Sequence, residues 1–306
     1  MKHADPPEIF RQHKAGFVAV VGKPNVGKST LVNKLVGEKI AIVSPKPQTT
    51  RRIVRGILTR PEAQIIFVDT PGITTPHQQL GKVMVEAATN VLDDVDLVIF
   101  LTDGARMPDD DDTRIGKLLN SRTRAPVLLA LNKTDLLKPD FVKDVTEAHW
   151  QLTRHADWMR ISATRGDNCD KLLGQIIERL PAGPEFYPAD QITDQNLQAM
   201  AAELIREQVL LQTRQEIPHA VAVAIESWEE PRENLTRITA TIYVERDSQK
   251  GIVIGARGAM LKQIGQNARA EIEAWVGHQI YLELWVKVWE NWRERETSLR
   301  RLGLTG

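Results

Sequence analysis

Gly22-Lys23-Pro24-Asn25-Val26-Gly27-Lys28-Ser29 is the stretch that decides how this chain folds. Its spacing is Gly-x-x-x-x-Gly-Lys-Ser, the pattern of a phosphate-binding loop, and its flanks are the right ones. Upstream, residues 16–22 form a short apolar run suited to a buried parallel strand. Downstream, residues 30–36 carry apolar side chains at helical spacing. The glycines let backbone N–H groups turn inward as an anion nest at a helix N-terminus. Lys28 can then reach the β- and γ-phosphates, the Ser29 hydroxyl can coordinate Mg²⁺, and the phosphate-binding set extends to Thr30.

The length of 306 residues suggests about two domains. Lys plus Arg and Asp plus Glu both number 40, so formal net charge is zero and global charge does not argue for nucleic acid. No apolar run approaches the length of a membrane span. Residues 1–14 are polar, contain Pro6-Pro7 and lack the apolar core of a secretory signal; a flexible extension is expected there. The single cysteine, Cys169, cannot form an intramolecular disulfide, which suits a reducing cytoplasm. The seven histidines show no spacing with Cys or Glu that suggests zinc.

Over 15–180 short apolar runs alternate with helical stretches. Strands are expected at 17–21, 53–58, 64–68, 97–102, 127–131 and 157–161, with helices at 29–36, 79–92, 111–120, 138–151 and 170–180. Such alternation implies an α/β fold, a parallel sheet between two helical layers, with ligand loops at the strand C-terminal ends. The loops that carry chemistry follow those strands. Asp69-Thr70-Pro71-Gly72 offers a carboxylate that can orient Mg²⁺, through water, and a Gly72 N–H free to approach a γ-phosphate. Asn132-Lys133-Thr134-Asp135 offers a carboxylate that accepts from both the ring N–H and the exocyclic NH₂ of guanine. Adenine has no such donor pair, so Asp135 selects GTP. Lys133 can lay its stem on the purine face, and Asn132 can tie loops together. Ser162-Ala163 places a backbone N–H where guanine O6 can meet it.

Residues 44–51, Ser-Pro-Lys-Pro-Gln-Thr-Thr-Arg, read as an exposed segment in which a threonine can put its hydroxyl on Mg²⁺ and order the loop when GTP is bound. The run Asp109-Asp110-Asp111-Asp112 opens a helix, where carboxylates suit the positive end of the macrodipole. Three prolines and a glycine over 180–188 mark a linker, taken as 181–194.

From 195 the pattern changes to α-β-β-α-α-β around Gly255-Ala256-Arg257-Gly258, the order of a type II KH domain. Two glycines admit a nucleic-acid backbone close to two helix ends. Arg257 supplies charge to a phosphate, Lys250, Lys262 and Arg269 lie nearby, and Ile252, Ile254, Met260 and Ile264 are the candidate apolar wall for unstacked bases. The expected ligand is single-stranded RNA.

Taken together, residues 22–29, Gln48-Thr49-Thr50-Arg51, 69–72, 132–135, Ser162-Ala163, 253–258 and 280–288 resemble the Era family of bacterial GTPases, in the TrmE-Era-EngA-like class. The likeness covers nearly the whole chain apart from the first dozen or so residues. It implies an α/β P-loop GTPase domain with a mostly parallel sheet and helices on both faces, followed by an α+β type II KH domain. It implies hydrolysis of GTP to GDP with Mg²⁺ in small-subunit (30S) ribosome assembly, on the 3′ end of 16S rRNA, with no DNA. It further implies a cytoplasmic, monomeric protein that associates peripherally with the inner membrane. By motif match the Mg²⁺-binding switch threonine is Thr50, with Thr49 the alternative. The residue after Gly72 is Ile73, which cannot orient a water, so chemistry rests on Lys28, Thr50, Asp69, Gly72 and Asn25. In related GTPases an Asn at that P-loop position holds K⁺ beside the phosphates; K⁺ is therefore a candidate cofactor, the alternative being that Asn25 only braces the loop.

Overall fold

β1 (Lys14–Val21) runs through the middle of a six-stranded sheet because both of its faces are apolar. Val18 and Val20 point to one side, Ala19 and Val21 to the other, and all four are fully buried. A strand covered on both faces reads as an unbroken apolar run rather than an alternating one. The computed structural model describes residues 13–213 and 217–305, so most of the expected extension, 1–12, lies outside the described residues.

The sheet is completed by β2 (Val54–Arg60), β3 (Ala63–Asp69), β4 (Leu97–Asp103), β5 (Val127–Asn132) and β6 (Asp157–Arg160), in the order β2-β3-β1-β4-β5-β6. One face packs on α1 (Lys28–Val36) and α5 (Cys169–Arg179) through Leu31, Leu35, Leu172 and Ile176. The other packs on α2 (Gln79–Asn90) and α3 (Asp110–Arg122) through Ala88, Ile115 and Leu119. α4 (Val142–Trp150) follows β5. The sheet is mostly parallel, as expected; at one edge β2 pairs antiparallel with β3. Only Pro61 and Glu62 join these two strands; a parallel pairing needs a crossover of a dozen or more residues.

The proline-rich segment after α5 is strapped to this domain. Ala15 N–H donates to Pro181 O at 3.1 Å and Ile57 N–H to Ile192 O at 2.8 Å. Gln64 Oε1 accepts from Phe186 N and Tyr187 N at 2.7 and 3.0 Å.

The remaining chain forms α6 (Leu197–Gln212), α7 (Ile217–Ala220), β7 (Ala222–Arg232), β8 (Leu235–Val244), α8 (Asp247–Ile254), α9 (Ala259–Val276), β9 (Gln279–Val288) and α10 (Glu296–Arg301). Its sheet is β7-β8-β9, with β7 antiparallel and β9 parallel to β8. Residues 249–254, read from sequence as a short apolar stretch, are helical. Residues 292–302 form a short turn followed by α10. Leu197 and Leu211 are 43% and 49% exposed, because they sit at the helix ends beyond the Met200–Leu210 face that fills the core. A second apolar cluster joins the two domains: Leu80 and Met84 of α2 meet Tyr243, Trp292, Leu299 and Leu302.

Candidate functional site

The loop after β1 turns at Gly22 and enters α1 at Gly27, and five further loops close around it. Lys28 is buried with its ammonium on two carbonyls of its own loop, Gly22 O at 3.1 Å and Lys23 O at 2.9 Å. Burial pulls its pKa down to about 8, opposed only in part by Asp69. Asp69 ends β3 and is fully buried. Burial raises it to about 6 against the hydrogen bonds of Ser29 and Thr50 and the charge of Lys28.

Three oxygens converge beside it. Ser29 Oγ lies 2.6 Å from Asp69 Oδ2 and 2.7 Å from Thr50 Oγ1, and Thr50 Oγ1 lies 3.3 Å from Asp69 Oδ2. Thr49 is turned elsewhere, its hydroxyl donating to Lys46 O at 2.7 Å and meeting Ser44 Oγ at 2.7 Å. Asp69 Oδ1 is buried with no hydrogen-bond partner, an arrangement that is costly unless a cation or bound water completes it. Two hydroxyls and one carboxylate are hard oxygen donors of the kind Mg²⁺ takes alongside phosphate oxygens. The residues fit that ion.

The remaining expected residues divide into those that face the cleft and those that hold its walls. Thr70 Oγ1 donates to Val20 O at 2.8 Å, and Pro71 is buried. A side chain at Gly72 would put Cβ 2.7 Å from Pro24 N, so only glycine lets this loop lie against the P-loop. Ile73 is buried in the core, with its N–H on Gly22 O at 3.2 Å; its apolar side chain is explained by packing. Lys23 points away from the phosphate nest. Its ammonium sits 2.6 Å from both Asp109 and Asp112. Burial opposes its charge, and the two carboxylates more than offset that and raise its pKa. Asp109 also caps α3, accepting from the N–H groups of Asp111 and Asp112, so half of the acidic run is a helix cap that anchors the P-loop.

Asn132 is the tie between loops. Its Nδ2 donates to Val26 O at 2.8 Å and its Oδ1 accepts from Ala163 N at 2.9 Å. Of the two N–H groups in the pair expected near guanine O6, that of Ala163 is thus held by Asn132 and that of Ser162 donates to Asp167 O at 3.1 Å. Ser162 is buried and its Oγ accepts from Arg165 N at 3.2 Å. Lys133, at φ 62°, reaches Asn25 O at 2.6 Å and Asp103 at 3.0 Å, laying its stem across the mouth of the cleft. Cys169 packs beneath this loop, where burial pushes its thiol up and away from reactivity. Thr30, Asn132, Lys133, Asp135 and Thr164 line a cavity of about 540 Å³, and Leu211 closes it from the second domain. Leu211 was not legible from the sequence as a cleft residue, because nothing local links the end of α6 to a loop 75 residues earlier.

The second domain carries a groove of about 400 Å³ between α9 and β9. At the Gly-x-x-Gly turn, Gly255 has φ 72°, and a Cβ there would lie 2.6 Å from Met260 Cβ. Gly258 has open space beside it, while Ala256 and Arg257 are exposed. The groove is walled by Leu261, Lys262, Gly265, Arg269, Leu282 and Leu284. Of the side chains expected there, Lys262 is in place, while Ile264 is fully buried in the core and does not reach the groove. Ile252 is 53% exposed on α8, and Ile254, Met260 and Lys250 are half-buried outside the wall. The reason is helical phase. In α9 residues 261, 265 and 269 share one face, and 264, 268 and 272 the next, which the core takes.

The first domain matches a family model described as "50S ribosome-binding GTPase" over residues 17–133, and the second matches a KH domain over residues 216–293. GTPase Era of Nostoc sp. is 49% identical over 300 residues, covering 97% of this chain and 90% of that protein. The chain belongs to the Era family. It is a GTP-binding, GTP-hydrolysing protein with a KH domain. A crystal structure of Era in complex with MgGDPNP and nucleotides 1506–1542 of 16S ribosomal RNA superimposes with a TM-score of 0.92 at 40% identity, covering 96% of this chain and all of the other. A variant of Aquifex aeolicus Era bound to GDP·AlF₄⁻ superimposes with a TM-score of 0.89 at the same identity and coverage. Among the described residues of this Era-family chain, no helix is long and apolar enough to cross a membrane.

Proposed function

We propose that this Era-family GTPase is a switch in 30S ribosomal subunit assembly, acting in the cytoplasm and binding the 3′ end of 16S rRNA in its KH groove. What supports this reading is a P-loop cleft lined by Asn132, Lys133 and Asp135 and a groove beside the Gly-x-x-Gly turn, in a single chain that superimposes on Era holding both MgGDPNP and 16S rRNA. An RNA with the 3′-terminal sequence of 16S rRNA is expected to bind at least about tenfold more tightly than a scrambled RNA, roughly 1.4 kcal/mol. Its affinity is expected to differ between GDP and a non-hydrolysable GTP analogue. Titration calorimetry with both RNAs in both nucleotide states decides it; equal affinity for the two sequences overturns the assignment.

In hydrolysis, Ser29, Thr50 and Asp69 (through water) are assigned to hold Mg²⁺. That ion supplies positive charge to the β- and γ-phosphate oxygens. The P-loop N–H groups between Gly22 and Thr30, Pro24 having none, and the ammonium of Lys28 bind the phosphates, exchanging the carbonyls of Gly22 and Lys23 for phosphate oxygens. Gly72 presents its N–H to the γ-phosphate. Asp135 accepts from the guanine edge, and Asn132 keeps the base loops registered on the P-loop. With Ile73 packed in the core, no side chain at that position orients the attacking water.

Asn25 stands at φ 63°, its Nδ2 donating to Pro45 O at 3.2 Å, which leaves its Oδ1 unpaired among the described residues. An unpaired amide oxygen next to the phosphate nest suits K⁺. Single-turnover hydrolysis is expected to be faster in K⁺ than in Na⁺ by about tenfold, near 1.4 kcal/mol in activation energy. Asn25→Ala removes the difference and keeps nucleotide binding. Equal rates in matched salts would sink the K⁺ site.

A further inference from the structure

The segment that carries Thr50 has little internal support. Within 43–49 the segment's own side-chain bonds are local, among Ser44, Lys46 and Thr49, and Gln48 sits at φ 60°, a region uncommon for a side-chain-bearing residue. Besides Asn25, which donates to Pro45 O, and the Ser29 and Asp69 contacts of Thr50, it is held from outside by one helix of the KH domain. Two consecutive residues of α6, Arg206 and Glu207, are each only 2% exposed and reach across the domain boundary. Glu207 Oε1 accepts from Val43 N at 2.8 Å, at the start of the segment, and its Oε2 holds Lys39 Nζ at 2.6 Å. Arg206 donates to Thr49 O, at the end of it. Glu203 on the preceding turn orients the guanidinium, with Nε 3.0 Å from Oε1. Glu271 of α9 is the second partner of Lys39 at 2.7 Å, and Trp275 Nε1 donates to Lys39 O at 3.0 Å.

The Thr49 carbonyl and the Thr50 N–H belong to one planar peptide, so holding the first fixes the direction of the second and the position of the Thr50 Cα. From there Thr50 Oγ1 reaches within 2.7 Å of Ser29 Oγ. We propose that Arg206 and Glu207 are positioning residues for GTP hydrolysis: from the KH domain they pin both ends of the switch segment so that Thr50 meets Ser29 and Asp69. The proposal rests on the assignment of Thr50 to Mg²⁺. It gives the second domain a part in completing the GTP site that does not pass through the RNA groove.

A structural role alone would weaken GDP and GTP equally, whereas positioning of Thr50 acts only where the γ-phosphate and its Mg²⁺ are engaged. In the full-length protein, Arg206→Ala and Glu207→Ala, each of which removes its bond to the segment, are expected to weaken a non-hydrolysable GTP analogue about tenfold and to leave GDP affinity within about twofold. The Mg²⁺ concentration for half-maximal hydrolysis rises about tenfold in both. Arg206→Lys, which can still donate to Thr49 O, recovers part of the loss. Equal weakening of GDP and GTP analogue, or no change in either nucleotide affinity or Mg²⁺ dependence, overturns the proposal. The unmodified protein is run beside the variants. If it shows no Mg²⁺-dependent hydrolysis, the GTPase reading falls and this one with it; if it hydrolyses GTP and the variants match it, only the positioning role falls.

Discussion

Asp135→Asn is expected to turn a guanine site into a xanthine site. The carboxylate lies on an exposed turn after β5 and lines the base end of the cleft; among the described residues it makes no hydrogen bond or ion pair that would have to be broken first. As an acceptor-only group it can take the ring N–H and the exocyclic NH₂ of guanine. The amide of asparagine keeps one acceptor and gains a donor, which matches the carbonyl that xanthine carries in place of the NH₂. Hydrogen bonds to a charged group contribute roughly 1.5–3 kcal/mol each. The amide oxygen keeps one of the two bonds, now without its charge, and the other is lost, so GTP and GDP affinity should fall on the order of tenfold to a hundredfold. Xanthosine nucleotides should bind more tightly than guanosine nucleotides to the variant. Competition between the two against a fluorescent nucleotide measures this directly, and a retained preference for GTP would remove Asp135 from the base-reading role.

The second large effect is in the other domain. Replacing both Ala256 and Arg257 with Asp should abolish RNA binding and leave the nucleotide cleft intact. Both residues are exposed at the Gly-x-x-Gly turn, so no core contact is lost. Arg257 occupies the left-handed region at φ 51°, which Asp tolerates better than most residues, so the turn itself should survive. The double change puts two carboxylates where a phosphate backbone would lie, and juxtaposed like charges cost several kcal/mol. A fall in RNA affinity of roughly a hundredfold follows, near 2.7 kcal/mol, with a shallower dependence on salt. Fluorescence anisotropy with a single-stranded RNA, at two salt concentrations, provides the check. Binding that persists at moderate salt would place the RNA somewhere other than this groove; a parallel loss of GDP binding would mean the variant had misfolded.

The nucleotide loops were legible in the sequence because each is a local device. The P-loop, Asp69–Gly72 and Asn132–Asp135 each owe their shape to a few consecutive residues at the end of a strand, and the apolar runs announce those strands without reference to the rest of the chain. The order of the motifs therefore determined the fold, the purine and the metal. The same holds for the sequence of elements around Gly255–Gly258, which determined the KH architecture. Tertiary structure decided what depends on which side of an element meets which neighbour. Thr50 rather than Thr49 stands beside Ser29 because Arg206, 156 residues beyond it, holds the intervening peptide. Lys23 serves as an anchor for α3 because Asp109 and Asp112 cap that helix within its reach. Ile264 goes to the core and Leu261 to the groove because the three helical steps between them, at about 100° each, leave their side chains about 60° apart, and the packing of α9 on β9 selects which direction is inside. Two adjacent leucines or isoleucines look alike in a sequence; only the long-range contacts of the folded chain distinguish a residue that fills the interior from one that lines a site.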